Sequence, residues 1–235
     1  MRADAPIADA GSGRAPPAFL STAVPGLVWA FRIDPDGTPE SLPVDQPIPA
    51  SHGGLLWLHF NLADARALQW LSSARLQVPA QARALLLGKD AFQQLHTADD
   101  CVYGVISDLL REVGEATEEI GYLRFAMTEQ VLVSGRHHAL CAVDATRRAL
   151  EAGHRIESAP ALLETIVEHV ADTLDGIADR LSQALDEVEE KVLSDTTDDL
   201  RQDLGRLRRS CGRLHRHFPA CGSSSTGSSR SISTT

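Results

Sequence analysis

No apolar run in these 235 residues approaches the ~18 needed to cross a bilayer, so no membrane helix is expected within the sequence. The first 25 residues, rich in proline, alanine and glycine, lack the compact apolar segment of a secretory signal and read as a disordered leader. A soluble, cytoplasmic chain is the expectation. Cysteine is scarce: Cys101, Cys141, Cys211 and Cys221 are too few and too scattered for a disulfide framework, which leaves reduced thiols as the default. Catalytic motifs are missing as well. No phosphate loop, zincin motif, nucleophile elbow or Cys-x-x-Cys occurs, and no cluster of residue types supports an enzyme.

Positive charge is nearly absent from one long stretch. Residues 158–200 carry 12 acidic and 2 basic side chains, whereas residues 201–235 carry 1 acidic and 7 basic. An acidic block repels phosphates and attracts cations, which excludes nucleic acid as a partner there and favours divalent metal ions.

What is present is a set of periodic segments. Gly26–Ile33 reads as a strand closed by the turn Asp34-Pro35-Asp36-Gly37, followed by a proline-rich stretch through Pro49. Leu55–Phe60 reads as a second strand, with Asn61 starting a helix over Ala63–Leu71 and another helix over Ala80–Leu87. Three strand-like runs follow at Cys101–Leu110, Ile120–Thr128 and Gln130–His137, the last two forming a tight hairpin around Glu129. A helix over Ala139–Ala152 stops at Gly153. The expected fold class is α+β in α/β/α layers, with a mixed, largely antiparallel sheet, a long stalk helix and a shorter basic helix. The expected divisions are a leader at 1–25, an α/β domain at 26–157, a helical stalk at 158–218 and a disordered Ser-rich tail at 219–235.

The long helix over residues 160–193 carries the clearest pattern. Val170, Leu174, Ile177, Leu181, Leu185, Val188 and Val192 recur at spacings of four and three, an eleven-residue repeat taken twice. Two positions earlier, or ~200° around the helix, lie Glu168, Asp172, Asp175, Asp179, Gln183, Asp186 and Glu190. The helix thus opposes an apolar face to a face of six carboxylates and one amide. A merely solvated face mixes charge signs to gain ion pairs, and this one does not. The basic helix over Leu200–His217 could fold back antiparallel against it. Cys211 and His215, four residues apart, could share a zinc ion, with His217 and Cys221 joining them if the helix end frays. His169 and Asp172 form a second, weaker metal-ligand pair. His59 reads as a hydrogen-bonded core histidine and His137-His138 as an exposed pair.

Gly26-Leu27-Val28-Trp29-Ala30-Phe31, Leu56-Trp57-Leu58-His59-Phe60-Asn61 with Gln69-Trp70-Leu71, and Glu129-Gln130-Val131-Leu132-Val133-Ser134 followed by Arg136 carry a family resemblance. So do Leu185-Asp186-Glu187-Val188-Glu189-Glu190 and Leu204-Gly205-Arg206-Leu207-Arg208-Arg209. Together they resemble the cytoplasmic portion of the CorA superfamily of metal-ion transporters, and more closely its ZntB zinc-transport branch. The resemblance implies a homopentamer whose cytoplasmic domains form a funnel with long helices flanking the ion path. It implies zinc as the transported ion, with magnesium and cobalt as the family's other cargoes, and no required cofactor. In a full-length protein the domain would sit at the cytoplasmic face of a bacterial inner membrane.

Two departures go with it. Lys89-Asp90-Ala91-Phe92-Gln93-Gln94 stands where the ZntB branch carries an acidic-Thr-Arg-Pro-Arg run. The resemblance stops at about Pro219, and the Gly-x-Asn motif and two membrane helices that should follow the stalk do not follow it. This polypeptide alone is therefore not expected to transport ions. The alternative reading is a stand-alone regulatory or scaffold protein that oligomerises through the long helix.

Overall fold

Alternating apolar residues build the strands, and long-range pairing decides their order. The computed structural model describes residues 23–48, 53–73, 78–89, 91–112, 115–193 and 200–218. The expected disordered tail from 219 and residues 1–22 of the leader expected at 1–25 lie outside the described residues, as does Cys221; residues 23–25 are described, and Val24 is buried. Seven strands form one sheet: β1 (Leu27–Ile33), β2 (Pro39–Leu42), β3 (Leu55–Asn61), β4 (Gln94–Ala98), β5 (Cys101–Glu112), β6 (Glu115–Met127) and β7 (Val131–Arg136). Their order is β2-β1-β3-β7-β6-β5-β4. Only the central β3–β7 pair is parallel, with Trp57 opposite Leu132 and His59 opposite Ser134. The other pairs are antiparallel.

Helices α1 (Ala65–Ser72) and α2 (Ala80–Leu87) cover one face of this sheet. There Trp70, Leu71, Ala82 and Leu86 pack against Leu56, Leu58, Phe60 and Val133. Val24 is buried in the same cluster. Helix α3 (Cys141–Glu151) and the first turns of α4 (Ala159–Leu193) cover the other face. Val143, Leu150, Leu162 and Ile166 meet Phe31, Trp57, Phe125 and Leu132 there. The result is a mixed sheet in α/β/α layers with a long helix and a shorter one beyond, in agreement with the expected fold class. Removing these side chains from water is the main drive for the layered arrangement.

The hairpin at Glu129 is a two-residue connection, closed by the Thr128 N–H donating to the Val131 carbonyl at 2.8 Å. Helix α3 ends at Gly153, whose φ of 89° is the left-handed conformation that terminates helices. Three expectations need correction. Helix α1 starts later than expected, and its capping side chain is Asp64, which accepts from the Arg66 N–H at 2.9 Å. Asn61 instead closes the preceding turn by accepting from the Ala63 N–H. Strand β2 lies inside the proline-rich stretch; Pro39 is tolerated because it opens an edge strand. Strand β4 (QLHTA) is the opposite edge, exposed along its middle, and its composition carries no alternating signal.

Candidate functional site

Helix α4 has 35 residues and is on the order of 50 Å long. Its first part is bound into the sheet core through Ala159, Leu162, Ile166 and Val170, all buried. Farther along, Ile177 is 1% exposed and joins Leu109 and Cys141 in a third cluster, with Leu174 and Leu181 half-buried beside it. Beyond that point the helix is less covered. Val188 is buried, but Leu185 is 45% and Val192 55% exposed.

The acidic face points to solvent throughout. Glu168, Asp172, Asp175, Asp179, Asp186 and Glu190 are all exposed, and so is Gln183 between them. One turn separates successive members, so the row forms an extended negative field rather than a chelating cage. Among the described residues no group of three or more His, Cys, Asp or Glu side chains is arranged to hold a metal ion.

Helix α5 (Leu200–His217) folds back along α4. Leu214 and Phe218 reach the Ile177 cluster at one end, and Lys191 meets Asp203 at 2.9 Å at the other. The charge sense of that ion pair is the reverse of what the helix compositions suggest, since the basic partner comes from the acidic helix. Arg206 turns to Asp203 on its own helix at 2.7 Å, and Arg213 approaches Glu118 of β6 at 4.0 Å. Ser210, buried, donates to Glu118 as well. Apolar contact, together with these few polar links, holds α5 in place. Between the helices lies a cleft of about 480 Å³ bordered by Arg180, Glu187, Lys191, Asp203 and Arg206.

Cys211 and His215 are both exposed on α5. His217 is half-buried, its Nδ1 3.2 Å from the Tyr122 hydroxyl. His169 Nδ1 lies 2.9 Å from the Thr146 hydroxyl of α3, an interaction between helices rather than with Asp172. His137 and His138 are exposed.

Three polar arrangements escape a reading of the sequence. Asp108 of β5, 2% exposed, accepts from the Ala142 N–H at 2.9 Å and so caps α3 from a distant strand. Burial pushes its carboxyl up to about 6, against the lowering effect of the backbone donors at Leu109, Ala142 and Val143. The second arrangement is a buried relay. Trp57 Nε1 donates to Ser134 Oγ at 2.9 Å, and Ser134 Oγ lies 2.8 Å from His59 Nδ1. His59 stacks on Trp29 at 4.0 Å, and its burial holds the imidazole well below its usual range, hence neutral. The third is Asp144, in the first turn of α3, which takes ion pairs from Arg111, Arg147 and Arg148. Only the hydrogen-bonded core role of His59 was foreseeable, from its place in an apolar strand.

Comparison with known proteins agrees with this architecture. The zinc transport protein ZntB of Cronobacter sakazakii is 25% identical over 181 residues, spanning 77% of this chain and 52% of that protein. The ZntB of Yersinia pseudotuberculosis serotype O:1b is 22% identical over 76% of this chain and 51% of its own length. The chain thus spans about half the length of the curated relatives it matches. Among solved structures, the full-length CmaX protein superposes with a TM-score of 0.73 at 25% identity, covering 82% of this chain and 60% of that one. The ZntB cytoplasmic domain of Vibrio parahaemolyticus shares the fold, with a TM-score of 0.57 at 15% identity, covering 81% of this chain and 88% of that one. No helix among the described residues is long and apolar enough to cross a membrane. The family model described as CorA-like Mg2+ transporter protein matches residues 52–223, well over half of the 235. The chain therefore belongs to the CorA family, whose members are metal-ion transporters rather than enzymes.

Proposed function

We propose that this chain is the cytoplasmic portion of a divalent-cation transporter of the ZntB kind, with zinc as the cargo and helix α4 as the element that draws cations to it. The observation that carries the proposal is the uniform exposure of Glu168, Asp172, Asp175, Asp179, Asp186 and Glu190 on a helix whose other face is docked. Six carboxylates in one row sum to a potential that raises local cation concentration without a dedicated ligand set. The name of the ZntB relatives favours zinc over magnesium or cobalt. In this reading the chain acts as a homo-oligomer, a pentamer as the family resemblance implies, with the acidic faces bordering the ion path.

The test is a calorimetric titration of zinc and magnesium into the chain and into a D172N/D175N/D179N variant. Weak, salt-sensitive binding that falls clearly in the variant is the expected result. Identical titration curves for the two proteins would overturn the role given to α4.

A stand-alone regulator that self-associates through α4 is the second reading. The exposure of Leu185, Val192 and Leu193 near the end of that helix favours it.

A further inference from the structure

A second polar centre lies far from the acidic face of α4, on the opposite side of helix α3. A cleft of about 480 Å³ opens between β1, β2, the end of β7 and α3, bordered by Trp29, Ser41, Arg136, Asp144, Arg147 and Glu151. Its volume falls in the range of small-molecule sites. Of its lining residues, Arg136 and Arg147 stand against Asp144 and Glu151, while Arg111 and Arg148 reach Asp144 from outside the cleft.

The carboxylates are already engaged. Asp144 takes Arg111, Arg147 and Arg148, and Glu151 takes Arg147 at 2.6 Å. Arg136 is the exception. It is half-buried, and among the described residues no acceptor bonds its guanidinium. Burial lowers its proton affinity, and the nearby Asp144 charge offsets this only in part. An arginine so placed is a costly arrangement unless an anion joins it.

Two buried ring nitrogens, one on the cleft wall and one stacked behind it, lack partners. Trp29 is 9% exposed, and its indole Nε1 has no partner among the described residues. His59, wholly buried and stacked on Trp29, has its Nε2 unpaired while Nδ1 faces Ser134. Ser134 Oγ accepts from Trp57 Nε1 and pairs with His59 Nδ1, so Nε2 is the ring nitrogen left without a partner. The region is rich in N–H groups and poor in free acceptors. Buried polar groups are seldom left unpaired without a functional reason.

We propose that this cleft binds a phosphate-bearing small molecule, with Arg136 as the principal contact and Trp29 Nε1 as a second donor. With Asp144 and Glu151 engaged by the other arginines, Arg136 is left to take a ligand, and its planar guanidinium suits bidentate contact with phosphate oxygens. The Ser41 hydroxyl at the rim is a third available donor.

The test follows the three tryptophan indole N–H signals by nuclear magnetic resonance while the full chain is titrated with inorganic phosphate and, separately, with glycerol phosphate. W29F assigns the Trp29 signal. That signal is expected to shift and saturate, whereas acetate at equal ionic strength leaves it in place. R136Q should weaken binding by ~10–100-fold, the loss expected for a charge-assisted contact. R136K, which keeps the charge but not the fork, should fall between. Tighter binding of the ester assigns the cleft to an organic phosphate, and equal binding assigns it to inorganic phosphate; either supports the proposal. Indole signals that neither compound moves overturn it, as does unchanged affinity in a folded R136Q. If R136Q proves unfolded by its amide spectrum, unchanged affinity in R136K overturns it equally.

Discussion

Asp108 reaches the start of helix α3 from strand β5, and its position makes stability depend on pH. Its folded carboxyl titrates at about 6, above the ordinary 3.8 of an exposed aspartate. A raised acid favours the folded state fully below the ordinary value, and that contribution is lost as pH rises through the folded one. Stability should therefore fall between about pH 4 and 6, by roughly 2–3 kcal/mol for a shift of two units. D108N, which cannot ionise, should remove this component. Urea midpoints of both proteins at pH 4, 5, 6 and 7 check it, and parallel profiles would count against it. Glycine acts at the same scale. Gly26 has φ 71°, and a Cβ there would sit 2.4 Å from Ala67 Cβ, whereas Gly153 at φ 89° has nothing within 4 Å. G153A should cost only the left-handed strain of about 1–2 kcal/mol, and G26A should cost that plus ~1–3 kcal/mol of overpacking. Comparable melting temperatures for the two variants would contradict the close approach of α1 to β1.

At the scale of elements, local period and charge were enough to place α4 and α5. Apolar spacing marks the stripe from Val170 to Val192, and the basic amphipathic run from Leu200 marks the second helix. Helix α2 and the Glu129 hairpin were equally plain. Strands β2 and β4 were not, because four or five residues at a sheet edge need neither alternation nor a buried face. The stripe itself was only half of the story. Ile177 is buried against Leu109 and Cys141, while Val192 is more than half exposed. I177A should destabilise the protein by ~2–5 kcal/mol and loosen α5, whereas V192A should be nearly neutral. Amide hydrogen exchange along α5 gives the readout: faster exchange only in I177A is expected. The Lys191–Asp203 pair, 46% and 16% exposed, should contribute no more than about 1 kcal/mol.

For the whole molecule, the question is what covers the far end of the helical pair. Leu185, Val192, Leu193 and Leu204 remain exposed there. Large exposed apolar side chains gathered near one end suit association between copies. Light scattering should show self-association of the chain, and L185D/V192D should lower the measured mass without changing the circular dichroism spectrum. A monomeric mass for both proteins would remove the apolar end of α4 from any interface.

The sequence by itself determined the two-faced helix, the charge separation between α4 and α5, the hairpin and the layered fold class. These depend on spacing along the chain, which a one-dimensional pattern records. Only the tertiary structure decided which carboxylates and guanidinium groups meet. Asp108 faces Ala142 across 34 positions and Arg111 faces Asp144 across 33. No local period announces such pairs, because they arise where strand register and helix docking bring distant residues to one place. The stripe on α4 was legible before the fold, and the arginine cluster around Asp144 only after it.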